Sequence, residues 1–312
     1  MLPRAIPSDS AEPVSRALQA LQWATHVATE DAGALAQPPE RPSAEEWRCL
    51  TLQSFRAEVD ALLLGRHTQE GLDALLAIGA LEVWLPEVYA LVGFGDGEWR
   101  HKDVWKHTKQ VVWQSVPRLQ VRWGALLHDI GKVKTRRIEP SGEVHFFGHS
   151  EVGAAMFRKR VGQRLGFEPE LYDQIHFLIL HHLRASQYDG DWTDSAVRRF
   201  AREMEQNLTD LLDLSRADIT TKRPERKKRG LRQISDLAQR IEKLRAEDAK
   251  VPPLPKGIGS EIMRRFELPA SRLIGDLRDQ LEREVEAGAL EPRREAEYYV
   301  AWLEANRARL GF

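Results

Sequence analysis

Cysteine is almost absent from this chain, with Cys49 alone among 312 residues. A single thiol excludes an internal disulfide framework and is typical of a reducing compartment. No apolar run approaches the roughly 20 residues of a membrane span. The N-terminal residues also lack the charged-then-apolar order of a secretory signal. These absences together predict a cytoplasmic protein with no membrane partner.

The chain also lacks an excess of charge of either sign. Its 46 Lys and Arg residues nearly balance 47 Asp and Glu residues, for a formal net charge of -1. Overall attraction to nucleic acid is therefore not indicated, and any such contact needs a local basic patch. No sequence-specific DNA recognition is expected. Apolar residues make up 42% of the chain, which is typical of a globular protein with a sizeable core.

Strand signals are scarce, and apolar residues recur mainly at helical spacing. Ser43 and Glu46 form a capping-box pattern that predicts a single helix running to Leu64. Only residues 133–147, with Pro and Gly at their middle, predict a loop or short hairpin. The predicted class is all-α, and the predicted division has four parts. These are a flexible N-terminal arm (1–43), a helical neck (44–100), a central domain (101–221) and a helical C-terminal region with a basic run (222–312).

The most informative stretch runs from Trp123 to Lys132, where an apolar segment ends in His128 and Asp129. A polar pair after buried residues requires partners, and other residues of suitable chemistry occur in or at the ends of predicted helices. These candidate ligands are His107, His149, His181, His182 and Asp218. Imidazole and carboxylate ligands without thiolates are typical of Zn, Fe, Mn, Co or Ni.

Two further predictions concern which histidine is a ligand and how many ions are bound. Only one of the adjacent His181 and His182 is expected to point inward, and the prediction prefers His181. Asp129 can bridge two ions, so the predicted cofactor is a pair of divalent transition-metal ions with no organic cofactor. A hydroxide shared by the ions would be the nucleophile. The remaining candidates are predicted to be ordinary hydrogen-bonded residues, namely His26, His67, His101 and His176.

Several basic residues are candidates for substrate contact. Lys132 would place a cation beside a bound phosphate, while His145 and Arg184 would protonate the leaving oxygen or hold phosphate. From residue 222 to 232, seven Lys or Arg residues accompany one Glu, and this run includes Lys222, Arg223 and Arg226. The run could follow an RNA backbone or form a solvated helix start. No aromatic residue interleaves with it to stack bases.

The order of these motifs resembles that of the HD-domain metal-dependent phosphohydrolases. The matching marks are His107, the doublet His128-Asp129, His149, His181 and Asp218. The resemblance implies a helical bundle and two ions bridged by Asp129. One ion would be held by His107, His128, Asp129 and Asp218. The other would be held by Asp129, His149 and His181, with His182 as an outer or third-site group.

Further segments resemble the neck, HD and C-terminal parts of bacterial CCA-adding enzymes and poly(A) polymerases, over residues 45–310. They are Ala61–Gly65, Leu72–Leu81, Leu85–Glu87, Val104–Thr108, Gly148–Ala154, Ile258–Met263, Arg272–Gly275 and Glu286–Leu290. That family places a nucleotidyltransferase head before the neck, with a Gly-Ser motif and paired aspartates. Residues 1–43 contain neither, so nucleotide addition by this chain alone is not expected.

The resemblance implies phosphatase or 2′,3′-cyclic phosphodiesterase activity on nucleotides or RNA ends, through a metal-bound hydroxide, with tRNA binding by the body. Two alternatives stay open. The chain is a non-catalytic RNA-binding remnant or partner of a CCA-adding system, or it is an HD-type di-iron oxygenase with a similar ligand set. Iron with oxygen consumption would favour the oxygenase, and salt-sensitive tRNA binding without turnover would favour the remnant.

Overall fold

A computed structural model describes residues 15–94, 103–249 and 252–312. Within these ranges the chain is helical apart from one two-stranded sheet, which confirms the all-α prediction. In these same ranges no helix is both long and apolar enough to span a membrane. The contacts divide the chain into two compact units, with the boundary between Ile241 and Glu242. The four-part division of the sequence remains a proposal.

The first six helices precede the segment that carries the histidines. They are α1 (Arg16–Thr29), α2 (Ala44–Cys49), α3 (Leu52–Leu64), α4 (Thr68–Ala77), α5 (Ala80–Trp84) and α6 (Pro86–Tyr89), with a short 3-10 turn at Ala32–Ala36. The predicted capping box is present, because Ser43 Oγ accepts from Glu46 N and the Glu46 carboxylate accepts from Ser43 N. The predicted single helix is wrong, since it ends at Cys49. Thr51 then caps α3 by accepting from Ser54 N.

Helix α1 corrects the prediction of a flexible arm over the residues it covers. Its apolar side is buried against α3 and α4. Small residues allow this close packing: a Cβ at Gly71 would lie 2.5 Å from the Cβ of Ala28. His67 N donates to Ala28 O at 2.8 Å, which fixes the end of α1 to the start of α4. The alanine-rich segment is therefore part of the core.

The middle of the chain forms the helices that surround the histidines. They are α7 (Val104–Gln114), α8 (Leu119–Leu127), α9 (Lys132–Thr135), α10 (His149–Met156), α11 (Gly162–Leu165), α12 (Pro169–His181), α13 (Asp194–Met204) and α14 (Leu208–Ala217). Strands β1 (Arg137–Ile138) and β2 (Val144–His145) form the hairpin predicted within 133–147. A π-helical turn covers Phe157–Val161, and 3-10 turns cover Ala185–Gln187 and Glu205–Asn207.

Helix α8 is the central element of this unit. Every residue from Val121 to Leu127 is buried, and the helix packs against α3, α7, α12 and α14. Gly124 allows α12 to approach, because a Cβ there would lie 3.1 Å from the side chain of Leu178. Arg122 is buried with its guanidinium donating to Leu63 O and Val116 O, and burial lowers its pKa to about 10. The buried part of α8 thus delivers the last residues of the helix into the interior.

The remaining helices are α15 (Pro224–Ala249), α16 (Ile258–Phe266), α17 (Arg272–Glu286), α18 (Ala296–Ala305) and α19 (Arg307–Leu310). The unit that begins at Glu242 has its own apolar core, which includes Ile262, Leu281 and Tyr299. The Tyr299 hydroxyl lies 2.8 Å from Glu291 O, so its polar end is satisfied inside this core.

Candidate metal centre

The candidate ligands come from five helices of the first unit, and all but one of them lie at a helix end. His128 caps the C-terminus of α8 and Asp129 follows it; His182 and Asp218 cap the C-termini of α12 and α14. His149 is the first residue of α10, after Gly148 at φ 72°. His107 lies within α7.

The first group contains His107, His128 and Asp129, whose ligand atoms all lie within 4.8 Å of one another. The two Nε2 atoms are 3.2 Å apart, and Asp129 Oδ2 lies 3.4 Å from His107 Nε2 and 3.2 Å from His128 Nε2. Asp218 joins from the outer side, with Oδ1 at 3.1 Å from His107 Nε2 and 3.7 Å from His128 Nε2. Two imidazoles and two carboxylates therefore converge.

The second group contains Asp129, His149 and His182. Asp129 Oδ1 lies 3.5 Å from His149 Nε2, and the Nε2 atoms of His149 and His182 are 3.2 Å apart. Asp129 thus directs one carboxylate oxygen toward each group. Its Oδ1 is buried and has no hydrogen-bond donor among the described residues.

The histidine tautomers follow from their backbone contacts. Nδ1 of His128, His149 and His182 lies 2.7–2.8 Å from the carbonyl oxygens of Ala125, Phe146 and Ile179, respectively. A carbonyl only accepts, so each Nδ1 carries a proton, and each ring in its neutral form presents a lone pair at Nε2. These lone pairs point into the two groups.

This arrangement fits a divalent cation. In the second group two Nε2 lone pairs face each other at 3.2 Å, with a buried carboxylate oxygen lacking a donor beside them. Such atoms repel unless a cation lies between them. Nδ1–H donation to backbone carbonyls is also the usual way in which metal-ligating imidazoles are oriented. The two groups could therefore hold metal ions.

The pKa shifts agree with this chemistry. Burial lowers the pKa of His182 to about 4, and burial also lowers the pKa of His149. Burial opposes ionisation of Asp129 and Asp218, but the neighbouring histidines outweigh it and hold both pKa values below the ordinary range. Burial would lower the pKa of His128, yet the adjacent Asp129 raises it. Two neutral imidazoles and two carboxylates at neutral pH are the forms that bind metals.

The structure corrects the preference for His181 over His182. His182 is only 2% exposed and its Nε2 points into the second group. His181 is half-buried outside the group, with its ring 4.4 Å from that of Phe177. The periodicity of α12 contains the signal, because Ile175, Leu178 and Ile179 are buried and His182 continues their face.

Two further residues contact the ligands. Lys132 Nζ bonds to Asp129 Oδ2 at 2.6 Å, so its charge lies against the shared carboxylate. Thr220 Oγ1 lies 2.9 Å from His107 Nδ1 and so orients the ring that has no backbone anchor. Sequence reasoning missed Thr220, whose only signal is its position two residues after Asp218.

The predicted substrate residues are not members of either ligand group. Arg184 is bound by the Glu203 carboxylate at 2.7 Å. His145 lies on β2, with its Nε2 at 3.8 Å from the Glu143 carboxylate. In the basic run Lys222, Arg223 and Arg226 are exposed.

The basic run lies against helix α7. Lys227 Nζ bonds to Gln114 Oε1 at 3.3 Å, and the neighbouring Trp113 is 51% exposed. The fold therefore places an exposed aromatic residue near this run, which the order of residues in the sequence did not reveal.

The model of the HD domain family matches residues 102–223, so the chain contains an HD domain. The chain is 35% identical over 173 residues to the CC-adding tRNA nucleotidyltransferase of Thermus thermophilus, covering 53% of this chain and 38% of that protein. It is 30% identical over 232 residues to the A-adding tRNA nucleotidyltransferase of Deinococcus radiodurans, and this match covers 72% of this chain and 52% of that protein. A multifunctional CCA protein of Mannheimia succiniciproducens is 28% identical over 143 residues, and this match covers 42% of this chain and 32% of that protein.

These matches confirm the resemblance: this is an HD-domain protein that resembles parts of CCA-adding enzymes. The chain spans about half or less of the length of these curated relatives.

Proposed function

We propose that this chain is a metal-dependent phosphohydrolase that acts on phosphomonoesters or 2′,3′-cyclic phosphodiesters of nucleotides or RNA ends. The observation that carries the proposal is the placement of Asp129. Its carboxylate is 1% exposed and lies between two imidazole pairs, with one oxygen directed at each. A carboxylate shared in this way could help to hold two divalent ions, which would supply the Lewis-acid chemistry of phosphoryl transfer.

In this proposal one divalent transition-metal ion, of Mn, Fe, Ni, Zn or Co, is held by His107, His128, Asp129 and Asp218. A second is held by Asp129, His149 and His182, and His181 is not a ligand. Such ions lower the pKa of bound water and withdraw charge from a phosphoryl oxygen. The protein fixes its imidazoles through their Nδ1 atoms, so their lone pairs need no reorganisation.

Lys132 has a positioning role in the proposal. Its ammonium bonds to Asp129 Oδ2, which fixes the carboxylate plane and sets which oxygen faces each group. Its charge would also stabilise the negative charge that develops on a phosphoryl group bound beside Asp129.

RNA binding by the basic run is part of the proposal. Lys222, Arg223 and Arg226 are exposed at the start of α15, directly after the segment that carries Asp218. Phosphate contacts of this kind give affinity without sequence preference and weaken steeply with salt. The matched relatives are named as tRNA nucleotidyltransferases, which makes tRNA the first RNA to test.

The decisive test is metal analysis of protein purified without chelator, for wild type, Asp129→Ala and Asp173→Ala. Asp173 is an exposed carboxylate on α12, so it controls for loss of a negative charge. About two equivalents of transition metal are expected in wild type and in the control, with almost none in Asp129→Ala. Hydrolysis of nucleotide monoesters and 2′,3′-cyclic nucleotides should disappear with the metal.

Other outcomes would redirect the assignment. Absence of metal from wild type after incubation with each candidate ion would remove the enzyme proposal. Salt-sensitive tRNA binding without phosphate release would then favour a non-catalytic partner of a CCA-adding system. Iron together with oxygen consumption and no phosphate release would favour the di-iron oxygenase.

A further inference from the structure

An exposed aromatic side chain lies next to the metal centre without a structural role of its own. Phe147 follows β2 and is 72% exposed, the highest exposure among the large hydrophobic residues that the structure describes. One ring face is covered by His145, with ring centroids 5.0 Å apart and planes inclined by 14°. The other side is open to water, and an aromatic ring in that position is suited to stack a flat ligand.

The β-hairpin adds a cation to the same face. Arg137 is the direct partner of His145 across the strands, and opposed residues of an antiparallel pair project to the same side. Arg137 is exposed, and no acidic side chain pairs with it within the described ranges. We call Arg137, His145 and Phe147 the hairpin platform.

Two connections place the hairpin platform beside the ligand groups. Phe147 lies two residues before His149, so their Cα atoms are at most ~7 Å apart. The intervening contact is tight, because Phe146 O accepts from His149 Nδ1 at 2.8 Å. The ring of Phe146 also lies 5.6 Å from Lys132 Nζ, which bonds to Asp129. The hairpin platform is therefore adjacent to the candidate metal centre.

We propose that the hairpin platform binds the nucleobase of the nucleotide whose phosphate enters the metal centre. Phe147, backed by His145, stacks on the base, and Arg137 contacts the base edge or a neighbouring phosphate. In a nucleotide, one sugar separates the phosphate from the base. This spacing suits a phosphate subsite at the metal centre and a base subsite at Phe147, which lies only two residues before His149. Stacking accepts any base, so the platform selects nucleoside phosphates over base-free phosphate esters without distinguishing among bases. The proposal depends on the proposed function in one respect, that the phosphate occupies the metal centre.

The test measures binding without turnover. A nucleoside phosphonate, in which a carbon atom replaces the bridging oxygen, and methylphosphonate, which lacks a base, are titrated calorimetrically into metal-loaded protein. Wild type should bind the nucleoside phosphonate more tightly than methylphosphonate. Phe147→Ala should weaken binding of the nucleoside phosphonate about tenfold, as expected for one lost base-stacking contact. Phe147→Trp should restore it.

Ile138→Ala is the matched control, because Ile138 is 61% exposed on the same hairpin and lies on the face opposite to Arg137. It should bind the nucleoside phosphonate as wild type does. Since Phe147 is exposed, its truncation leaves no core cavity, and thermal unfolding checks that the fold is intact.

Equal binding of the two phosphonates by wild type, or unchanged affinity in Phe147→Ala, would overturn the platform. The outcome is separable from the proposed function. If Phe147→Ala loses nucleoside selectivity while no ester is hydrolysed by wild type, the platform is supported and the phosphohydrolase assignment fails. If wild type hydrolyses esters but binds the two phosphonates equally, the phosphohydrolase assignment is supported and the platform proposal fails.

Discussion

The two ligand groups that share Asp129 differ in charge. The group at His107 includes two carboxylates, Asp129 and Asp218, whereas the group at His149 includes Asp129 alone. Attraction to a divalent cation grows with the negative charge around it, above all in a poorly solvated site. The first group should therefore bind its ion more tightly than the second. One shared carboxylate, that of Asp129, would then serve two sites of unequal affinity.

The groups also differ in exposure and anchoring. Both rings of the second group are anchored to backbone carbonyls, and His182 is 2% exposed. In the first group the Asp218 side chain is 25% exposed, and His107 depends on the Thr220 hydroxyl. The second group is thus the more rigid and more buried, while the first is more highly charged and open toward water.

The largest effect expected from this comparison is the selective loss of one ion. Asp218→Asn should remove the second carboxylate of the first group, and His182→Gln should remove an Nε2 ligand of the second. Each should lower metal content by about one equivalent relative to wild type, measured by elemental analysis after dialysis. In metal titrations His182→Gln should keep the tighter of the two sites.

The matched control for this experiment is His181→Gln. His181 lies on the same helix beside His182 but outside the ligand groups, so this variant should retain both equivalents. Loss of metal from His181→Gln and not from His182→Gln would reverse the assignment of the second group. Loss of both ions from either variant would show that the groups do not fill independently.

The features of this centre that sequence patterns could predict are those formed by residues close together along the chain. The apolar run before His128 predicted a buried helix and a polar pair within it, and α8 has that form. The choice between His181 and His182 was also available locally, since the buried face of α12 passes through His182. The preference for His181 did not take this helical phase into account.

Other features could not be read locally. The contact between His107 and Thr220 joins residues 113 positions apart, and no periodicity reports such a pair. The break between α2 and α3 depends on one threonine cap inside a continuous helical pattern. Helix α1 was misjudged because nearby prolines suggested a linker, although Ala17, Leu21 and Ala24 already formed an apolar stripe. Packing against α3 and α4 decided its state.

The pH dependence of metal-free protein provides a second prediction. Burial lowers the pKa of His182 to about 4, below its value of about 6.5 in an unfolded chain. The unfolded state therefore binds more protons between these values, and stability should fall as pH drops from about 6.5 to about 4. His182 alone would contribute a loss of up to roughly 3 kcal/mol.

The comparison of wild type with His182→Gln isolates this contribution. Urea unfolding at a series of pH values should give a flatter profile for the variant between pH 6.5 and 4, because glutamine does not titrate. His149 should add to the slope in both proteins, since its pKa is also lowered by burial. Parallel profiles for the two proteins would show that His182 is not held neutral in the fold.

The smallest effect concerns the weaker anchoring of the first group. Thr220→Val removes the hydroxyl that orients His107 and keeps the shape of the side chain. Loss of such an outer contact weakens metal affinity by about tenfold or somewhat more, so the tighter of the two sites should approach the affinity of the other in a metal titration.

Thr221→Val is the control, because the Thr221 hydroxyl accepts from Arg223 N instead of contacting a ligand. Activity of Thr220→Val should recover at high metal concentration, since the variant leaves every ligand in place. A fall in activity that added metal does not restore would mean that Thr220 acts on the substrate rather than through His107.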